Sequence, residues 1–425
     1  MSNADPIVIV GGGQAAGQLA DSLRREGYGG AVTVLCDEPM PPYQRPHLSK
    51  LYLAGILDHE KLLYRPRDFY AERGITVMSG RRATRVDAAA RQLHLDDGST
   101  RPYAGLALCT GAVARRLPVQ DADASGVHCL RTLADCEQLR AALPAATRVV
   151  CVGGGLISLE AAGVMAAMGK HVTVLAAQHR VMESAGTPEV AAFFAAEHQK
   201  RGIDIRTGCS VTGIDTENGA VCAVLTARGE RIPADLVLVG IGVEPEVALA
   251  QAAGLACDNG IVVDEFARTS VPSIVAAGDC TRHPNAILGR SLRLESVHNA
   301  VEQAKTAAAT LCGKQRAYAQ APWFWSDQLG FRLQIVGLAG REPRTVLRGD
   351  PASGSFAVWC FEGERLVACQ SVNRPREYMA CRRMLENDLL PTPAEVAHPR
   401  FDPEARLPRK APLAFQRRSV PGVVA

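Results

Sequence analysis

The stretch IVIVGGGQAAG, residues 7–17, decides the fold of this 425-residue chain together with a second stretch, VVCVGGGLISLE, residues 149–160. Each is a short apolar run followed by three glycines and then by a helical pattern. This order predicts a strand, a tight turn and a helix whose first backbone N–H groups can bind a pyrophosphate. One such motif is a weak signal, but two in tandem predict two nucleotides held end to end.

The first motif continues as a nucleotide-binding unit. The pattern predicts a strand at 7–10, a helix at 14–25 and a strand at 32–35, and Asp37 follows 20 residues after Gly17. A carboxylate at this point can accept hydrogen bonds from both ribose hydroxyls of an adenosine. The same order begins again with a strand at 149–152, a helix at 156–168 and a strand at 171–175. The second unit is therefore predicted to be inserted into the first.

The return to the first unit is marked by TSVPSIVAAGDC, residues 269–280, an apolar run that ends in Gly-Asp. Gly-Asp is most often only a turn, but after two nucleotide motifs we interpret Asp279 as a carboxylate aimed at a flavin ribityl or phosphate group. From residue 321 short alternating runs predict a third, mixed domain. The predicted domains are 1–112 with 245–320, which bind FAD, 113–244, which bind NAD(P), and 321–425, which form an α+β domain ending in a basic tail.

Composition and charge narrow the class of protein. The formal charge of +3 gives no reason to propose nucleic acid or a charged membrane surface as a partner. No apolar run approaches the roughly 18 residues that span a bilayer, and no basic leader precedes the first strand. We expect a soluble, cytoplasmic protein without a membrane partner.

Cysteine and histidine spacing argues against several kinds of redox and metal site. The 13 cysteines never occur as Cys-x-x-Cys, and the 10 histidines are dispersed. The sequence therefore predicts no redox disulfide, no iron–sulfur cluster and no bound metal. Electrons that reach a flavin in this chain must leave to an external carrier.

Eight further segments carry a resemblance to a known family: RPHLSK at 45–50, CTG at 109–111, LRT at 130–132, GIG at 240–242, GD at 278–279, ESVHNA at 295–300, WFWSDQ at 323–328 and VNRP at 372–375. In this order the chain resembles the FAD-dependent ferredoxin reductases of the putidaredoxin reductase type. The resemblance implies an α/β fold like that of glutathione reductase, with two Rossmann-like domains and a C-terminal α+β domain. It also implies an enzyme of the EC 1.18.1 type that passes electrons from NADH through FAD to a [2Fe-2S] ferredoxin, which serves a cytochrome P450 or a ring-hydroxylating oxygenase.

The resemblance also implies the site residues. Lys50 would lie near flavin N5 and pair with Glu160, and these two are the predicted catalytic residues. Taken alone, Lys50 would be a solvated lysine and Glu160 a carboxylate on a helix surface. The predicted cofactor-binding residues are Gly11, Gly13, Gln14, Ala15, Ala16, Asp37, Lys50, Ala83, Thr110, Gly111, Arg131, Asp279, Val297, Trp325, Gly153, Gly155, Leu156, Ile157, Glu160 and Gly242.

Three of these residues have a second interpretation. Arg131 resembles a contact to the FAD pyrophosphate or isoalloxazine, since a guanidinium fork suits phosphate oxygens, but it could instead form an interdomain salt bridge. Val297 would begin a helix whose N–H groups face the flavin O2 side, or one that only packs on a sheet. Trp325 would cover the flavin where ferredoxin docks, or lie in the core.

Three positions depart from the family pattern. Ser158 stands where the family usually has glycine, which would move helix and strand slightly apart. Ala176 ends the second strand where a relative that prefers NADH carries Glu or Asp, and Glu246 replaces an asparagine. Nearby Gln178, His179 and Arg180 could bind either a ribose hydroxyl or a phosphate. NADH preference is thus implied by the family alone, and NADPH remains possible.

Two other functions remain open. An NAD(P)H oxidase or peroxidase would need a cysteine near the flavin, and residues 39–53 contain none. A flavin-bearing signalling protein resembling apoptosis-inducing factor would suit a weak NADH site. For a ferredoxin reductase, the candidate basic residues that attract an acidic carrier are Arg290, Arg293, Arg332 and the tail arginines. The sequence does not identify the ferredoxin, the terminal oxygenase or the oligomeric state.

Overall fold

A computed structural model describes residues 5–340 and 342–407. The first sheet has five parallel strands in the spatial order Ile274–Ala276, Gly105–Leu108, Ile7–Val10, Val32–Cys36 and Ile75–Ser79. The central strand Ile7–Val10 is buried along its whole length, as its unbroken run of β-branched residues predicts for a sheet covered on both faces. Helices Gln14–Arg25 and Val297–Leu311 pack together on this sheet.

The second sheet repeats this arrangement. Its five parallel strands lie in the order Asp204–Thr207, His171–Ala176, Arg148–Val152, Leu236–Val239 and Val127–Cys129. Strands Ala112–Ala114 and Val243–Pro245 pair as an antiparallel ribbon where the chain leaves the first unit and returns to it. The second unit is therefore inserted into the first, and the two chain segments that connect them lie side by side in this ribbon.

The third unit is an antiparallel sheet. Its strands lie in the order Trp323–Gln328, Phe331–Gly337, Arg365–Val372, Ser355–Glu362 and Arg344–Asp350, and helix Pro375–Glu386 packs against it. Buried Leu48, Leu159 and Leu333 belong to one continuous apolar cluster that joins the three units. This shared core fixes the faces that meet at the site.

Shorter elements complete the described part of the chain. Three small sheets comprise Ala83–Asp87, Gln92–Leu95 and Thr100–Pro102; Val211–Glu217, Ala220–Thr226 and Arg231–Pro233; and Ile261–Val262, Thr281–Asn285 and Arg290–Leu292. The remaining helices are His59–Leu62, Arg67–Glu72, Leu133–Ala142, Leu156–Ala167, Pro188–Gln199, Ala248–Ala252 and Pro393–Ala397, with 3-10 turns at Arg45–His47, Leu143–Ala145 and Pro351–Ser353. The predicted basic tail begins at Arg400, and its described part, up to residue 407, includes Arg406, which pairs with Glu395. The rest of the tail, beyond residue 407, lies outside the described residues.

Candidate active site

A cavity of about 1610 Å³ lies where the three units meet, and both glycine turns contribute to its wall. The two turns are built alike. Gly11 has φ 134° and an added Cβ would lie 2.2 Å from the carbonyl oxygen of Cys109. Gly153 has φ 112°, and an added Cβ would lie 2.3 Å from the carbonyl oxygen of Gly240. Only glycine meets both demands, so each turn brings a helix N-terminus close to the sheet edge.

The serine at the third small position of the second motif is accommodated by its neighbour. Ser158 Oγ donates to the carbonyl of Gly240 at 3.3 Å, and an added Cβ on Gly240 would lie 2.1 Å from that hydroxyl. Because residue 240 has no side chain, the serine fits between helix and strand. The hydroxyl also gains a hydrogen-bond partner in a buried position.

The predicted pair Lys50 and Glu160 forms an ion pair inside this junction. Lys50 Nζ lies 2.7 Å from Glu160 Oε2, and the two side chains are only 16% and 5% exposed. Ser49 Oγ donates to the same carboxylate oxygen at 2.6 Å, while Ser326 Oγ donates to Oε1. Neither Lys50 nor Glu160 is therefore the solvated surface residue that each would be on its own.

Glu160 thus joins all three units of the fold. The carboxylate is on a helix of the second unit, Ser49 and Lys50 belong to the first, and Ser326 belongs to the antiparallel sheet. Gln328 Nε2 donates to Ser326 Oγ at 3.0 Å and extends the network. Ser49 and Ser326 were not predicted as site residues, although both lie inside segments that carry the family resemblance.

Arg131 and Asp279 bind each other across the cavity wall. Arg131 Nη2 lies 3.0 Å from Asp279 Oδ2, and Arg131 Nε donates to the carbonyl of Ala112 at 2.9 Å. This contact is the interdomain salt bridge that was the alternative interpretation of Arg131. Both side chains also line the cavity, so they present a fixed cation and anion to a ligand there.

A second cation beside the first turn was not predicted. The Arg45 guanidinium donates to Glu38 Oε1 at 2.6 Å and to the carbonyl of Arg131 at 2.9 Å. Its Nε lies 4.0 Å from where a Cβ on Gly13 would be, next to the N-terminus of helix Gln14–Arg25. Arg45 is the first residue of the segment RPHLSK, residues 45–50, in which only Lys50 was predicted to be a site residue. A guanidinium at a helix N-terminus is well suited to bind phosphate oxygens.

Asp37 lines the same cavity, just past strand Val32–Cys36. Its side chain is half exposed. Asp37 Oδ1 accepts a hydrogen bond from the backbone N–H of Glu38 at 3.0 Å, and Oδ2 lies 3.6 Å from the Arg82 guanidinium. The carboxylate is therefore held at the cavity rim with one side open to a ligand.

Val297 and Trp325 lie on the same cavity. Val297 is the first residue of helix Val297–Leu311, whose N-cap hydroxyl, on Ser296, accepts a hydrogen bond from the backbone N–H of Asn299 at 3.1 Å. The Trp325 ring centroid lies 5.6 Å from that of Trp323. The helix N-terminus and the indole thus both face the space at which the three units meet.

Most of the other predicted site residues line this cavity too. They are Gly11, Gly13, Gln14, Ala15, Ala83, Thr110, Gly111, Gly155, Leu156, Ile157 and Gly242. The structure places Ala16 and Gly153 away from the cavity surface. Ala16 is fully buried against the sheet, and Gly153 is packed under the Gly240 carbonyl, so both shape the turn from behind.

The residues proposed for nucleotide choice and ferredoxin attraction are dispersed. Arg180 lines the cavity, whereas Gln178 and His179 are exposed beside it. Arg293 lines the cavity and pairs with Glu295 at 2.6 Å. Two other candidates are exposed: Arg290 at the strand that begins there, and Arg332 with its guanidinium 3.8 Å from Asp327. The tail arginines beyond residue 407 lie outside the described residues.

The described residues hold no group of His, Cys, Asp and Glu placed to bind a metal ion. All thirteen cysteines fall within 5–340 and 342–407, and each is an unpaired thiol. Burial raises the pKa of Cys36, beside the first turn, to about 12, so this thiol is a poor nucleophile. None of the helices in the described ranges combines the length and apolar character needed to cross a membrane.

Comparison with known proteins gives consistent relatives. The family described as pyridine nucleotide-disulphide oxidoreductase matches residues 5–304, and a reductase C-terminal family matches residues 323–406. Rhodocoxin reductase of Rhodococcus erythropolis is 41% identical over 93% of each chain. Putidaredoxin reductase of Pseudomonas putida is 42% identical over 92% of this chain and 93% of its own.

Solved structures agree with these relatives. The ferredoxin reductase for the CYP199A2 system from Rhodopseudomonas palustris has a TM-score of 0.92 and 40% identity, over 94% of this chain and 99% of its own. A covalent putidaredoxin reductase–putidaredoxin complex has a TM-score of 0.91 and 40% identity, over 95% of this chain and 98% of the matched one. The fold expected from the sequence is therefore confirmed.

Proposed function

The chain belongs to the pyridine nucleotide-disulphide oxidoreductase family, in its branch of FAD-dependent ferredoxin reductases, and from that premise we propose its reaction. It passes electrons from NAD(P)H through FAD to a [2Fe-2S] ferredoxin, which serves a cytochrome P450 or a ring-hydroxylating oxygenase. The observation that carries the proposal is the Lys50–Glu160 ion pair in a cavity lined by both nucleotide turns.

The first unit fits FAD. Its glycine turn leaves no room for a Cβ at Gly11, and the helix that follows begins beside the Arg45 guanidinium. The partial positive charge of the helix N-terminus and the charge of Arg45 together favour a bound pyrophosphate. Asp37 at the rim can accept hydrogen bonds from an adenosine ribose, and Asp279 can accept them from the ribityl chain. We propose that these residues, with Arg131, hold FAD. When bound, FAD accepts a hydride from NAD(P)H and gives up its electrons one at a time.

Lys50 supplies fixed positive charge to the reaction centre. Its ammonium is held by Glu160 and by the carbonyl of Pro46 at 3.1 Å, so it keeps one position in a mostly buried wall. A preorganised cation stabilises negative charge that develops on a ligand without the cost of reorienting solvent. Glu160 is in turn a positioning residue, since Ser49 and Ser326 also donate to its carboxylate, one to each oxygen. We propose that this network aligns the two cofactors, because it ties together the units that bind them.

The electron acceptor is inferred from the relatives. Two relatives are named rhodocoxin reductase and putidaredoxin reductase. One solved relative is a ferredoxin reductase, and another is a complex with putidaredoxin. We propose that a ferredoxin docks near Trp325 and is attracted by basic residues such as Arg290 and Arg332. None of the four relatives compared above, which are 40–42% identical to this chain, is named as an oxidase or a signalling protein.

The domain boundaries and the location are part of the proposal. The ribbon of Ala112–Ala114 with Val243–Pro245 supports a boundary between the FAD-binding residues 1–112 and 245–320 and the NAD(P)-binding residues 113–244. We assign residues 321–425 to the C-terminal domain as part of the same proposal. We infer a cytoplasmic location, where a reducing environment would maintain thirteen unpaired thiols.

Purified protein tests the function directly. A flavin absorption spectrum that bleaches when NADH is added without oxygen is expected, followed by cytochrome c reduction only when a [2Fe-2S] ferredoxin is present. Reduction of oxygen at the same rate with or without ferredoxin would indicate an oxidase. A colourless protein that remains without flavin in excess FAD would refute the proposal altogether.

A further inference from the structure

The two nucleotide units can be aligned residue by residue through equivalent backbone hydrogen bonds. Gly11 N donates to Leu35 O at 2.8 Å, and Gly153 N donates to Leu175 O at 2.8 Å. The bond from Arg81 N to Cys36 O, 2.9 Å, is matched by Cys209 N to Ala176 O, also 2.9 Å. These bonds equate Leu35 with Leu175 and Cys36 with Ala176.

A third pair of bonds completes the register. Gly80 N donates to Glu38 O at 2.9 Å, and Gly208 N donates to Gln178 O at 2.7 Å. The residue between is Asp37 in the first unit and Ala177 in the second, and both are exposed. The counterpart of the ribose carboxylate is therefore Ala177, one position later than the sequence suggested.

Both candidate positions for a ribose carboxylate are thus alanines. Ala176 is fully buried, and its methyl lies 2.8 Å from where a Cβ on Gly154 would be, so it closes the floor of the turn. Ala177 offers no polar atom from its side chain. A carboxylate here does two things at once, since it binds the 2′-hydroxyl of NADH and repels the 2′-phosphate of NADPH. This chain has lost both effects.

The charges around this end of the site favour an anion. The Arg180 side chain lines the cavity, its Nε is buried without a hydrogen-bond partner, and no salt bridge reaches it from any residue in the described ranges. The Arg228 guanidinium donates to the carbonyls of Thr207 and Gly208, beside Gln178.

The acidic residue on the same loop, Glu183, already accepts a hydrogen bond from the backbone. Glu183 lines the cavity, and its Oε2 accepts a hydrogen bond from the backbone N–H of His179 at 3.0 Å. On the neighbouring strand Arg206 is neutralised by Asp204 and Glu230, at 2.8 and 3.1 Å. Arg180, which lines the cavity, and Arg228, which lies outside that lining but is bonded beside Gln178, therefore both lack a carboxylate partner among the described residues.

We propose that this end of the pyridine nucleotide site accepts a 2′-phosphate, with Arg180 and Arg228 as its cationic partners. The inference rests on the proposed function and specifies its substrate: NADPH reduces the enzyme with a kcat/KM no more than about tenfold below that of NADH, because no carboxylate repels it. Ala177 and Arg180 are the residues that set the choice.

The test compares both nucleotides on the holoenzyme, by anaerobic flavin reduction and by steady-state kcat/KM. Ala177→Glu, at an exposed position, is expected to lower the ratio of kcat/KM for NADPH to that for NADH by about tenfold or more, chiefly through the KM for NADPH. Arg180→Gln is expected to weaken NADPH more than NADH. Lys200→Gln is the matched control, because Lys200 is an exposed lysine of the same unit that pairs with Glu197.

Binding of 2′,5′-ADP and of 5′-AMP to the oxidised holoenzyme, measured by calorimetry, gives a readout that needs no turnover. We expect 2′,5′-ADP to bind more tightly than 5′-AMP, and we expect this difference to disappear in Ala177→Glu. The inference is overturned if NADH reduces the flavin while NADPH is more than about tenfold poorer, or if 2′,5′-ADP binds no better than 5′-AMP. Failure of both nucleotides to reduce a bound flavin would instead refute the proposed function.

Discussion

Replacing Glu160 by glutamine removes one charge from the three-unit junction and almost no volume. The carboxylate accepts hydrogen bonds from Ser49, Lys50 and Ser326, and its side chain is 5% exposed. In Glu160→Gln the Lys50 ammonium loses its anionic partner, and the amide NH₂ of the new side chain, whichever oxygen it replaces, faces a serine hydroxyl that had donated to the carboxylate. The ion pair and the geometry of the junction are therefore disturbed together.

The size of the effect follows from the burial of the pair. Hydrogen bonds to charged groups contribute about 1.5–3 kcal/mol, and breaking a fully buried pair costs about 3–5 kcal/mol. Lys50 is 16% exposed and still has the Pro46 carbonyl, so we expect the lower range, a loss of about 2–3 kcal/mol in the free energy of unfolding. If the same free energy is lost in the transition state, flavin reduction by NADH slows by about 30–160-fold.

Stopped-flow reduction of the flavin by NADH measures the rate, and denaturant unfolding of the holoenzyme measures the stability. Glu217→Gln is the control, because it makes the same change at an exposed position of the same unit. A Glu160→Gln enzyme that is reduced at the wild-type rate and unfolds at the same denaturant concentration would refute the role of the ion pair.

Three further predictions concern the turns, the pH dependence and the partner. Gly153→Ala forces a Cβ to 2.3 Å from a carbonyl oxygen and should raise KM for NADH sharply, whereas Gly169→Ala, also at positive φ but in open space, should cost only about 1 kcal/mol in unfolding experiments and leave KM unchanged. Burial lowers the pKa of His283 from 6.5 to about 4. Burial is also the largest cause that lowers the pKa of His298 from 6.5 to about 3. Both rings are thus neutral in the fold and bind protons on unfolding, so stability should fall as the pH drops from about 6.5 toward 4, by up to about 1.4 kcal/mol per pH unit for each. Urea titrations should show a shallower slope for His283→Leu, and an equal slope would contradict the assignment. Finally, ferredoxin reduction should slow steeply with added salt while flavin reduction by NADH does not, and equal salt dependence of the two rates would argue against electrostatic attraction.

Much of the fold could be predicted because its signals are local. The apolar runs and glycines at residues 7–17 and 149–160 specify strand, turn and helix within a dozen residues, and the backbone conformation of Gly11 and Gly153 is demanded by the turn itself. The insertion of one unit in the other followed from the order of the motifs along the chain. Family segments then pointed to Lys50 and Glu160.

Other features depend on contacts between distant residues. Ser49 and Ser326 reach Glu160 from 111 and 166 positions away, and no periodicity in the sequence records that convergence. Arg131 and Asp279 are each plausible ligands in the sequence, yet only the packing of the two sheets shows that they bind each other.

The sequence by itself determined the two nucleotide units and the absence of a Cys-x-x-Cys pair, because short-range backbone geometry and residue spacing suffice for these. Only the tertiary structure decided which side chains surround Glu160 and that Ala177, rather than Ala176, is the counterpart of Asp37. Both depend on how separate strands and helices are placed against each other, which is set by the packing of the shared core and by hydrogen bonds between segments far apart in the chain.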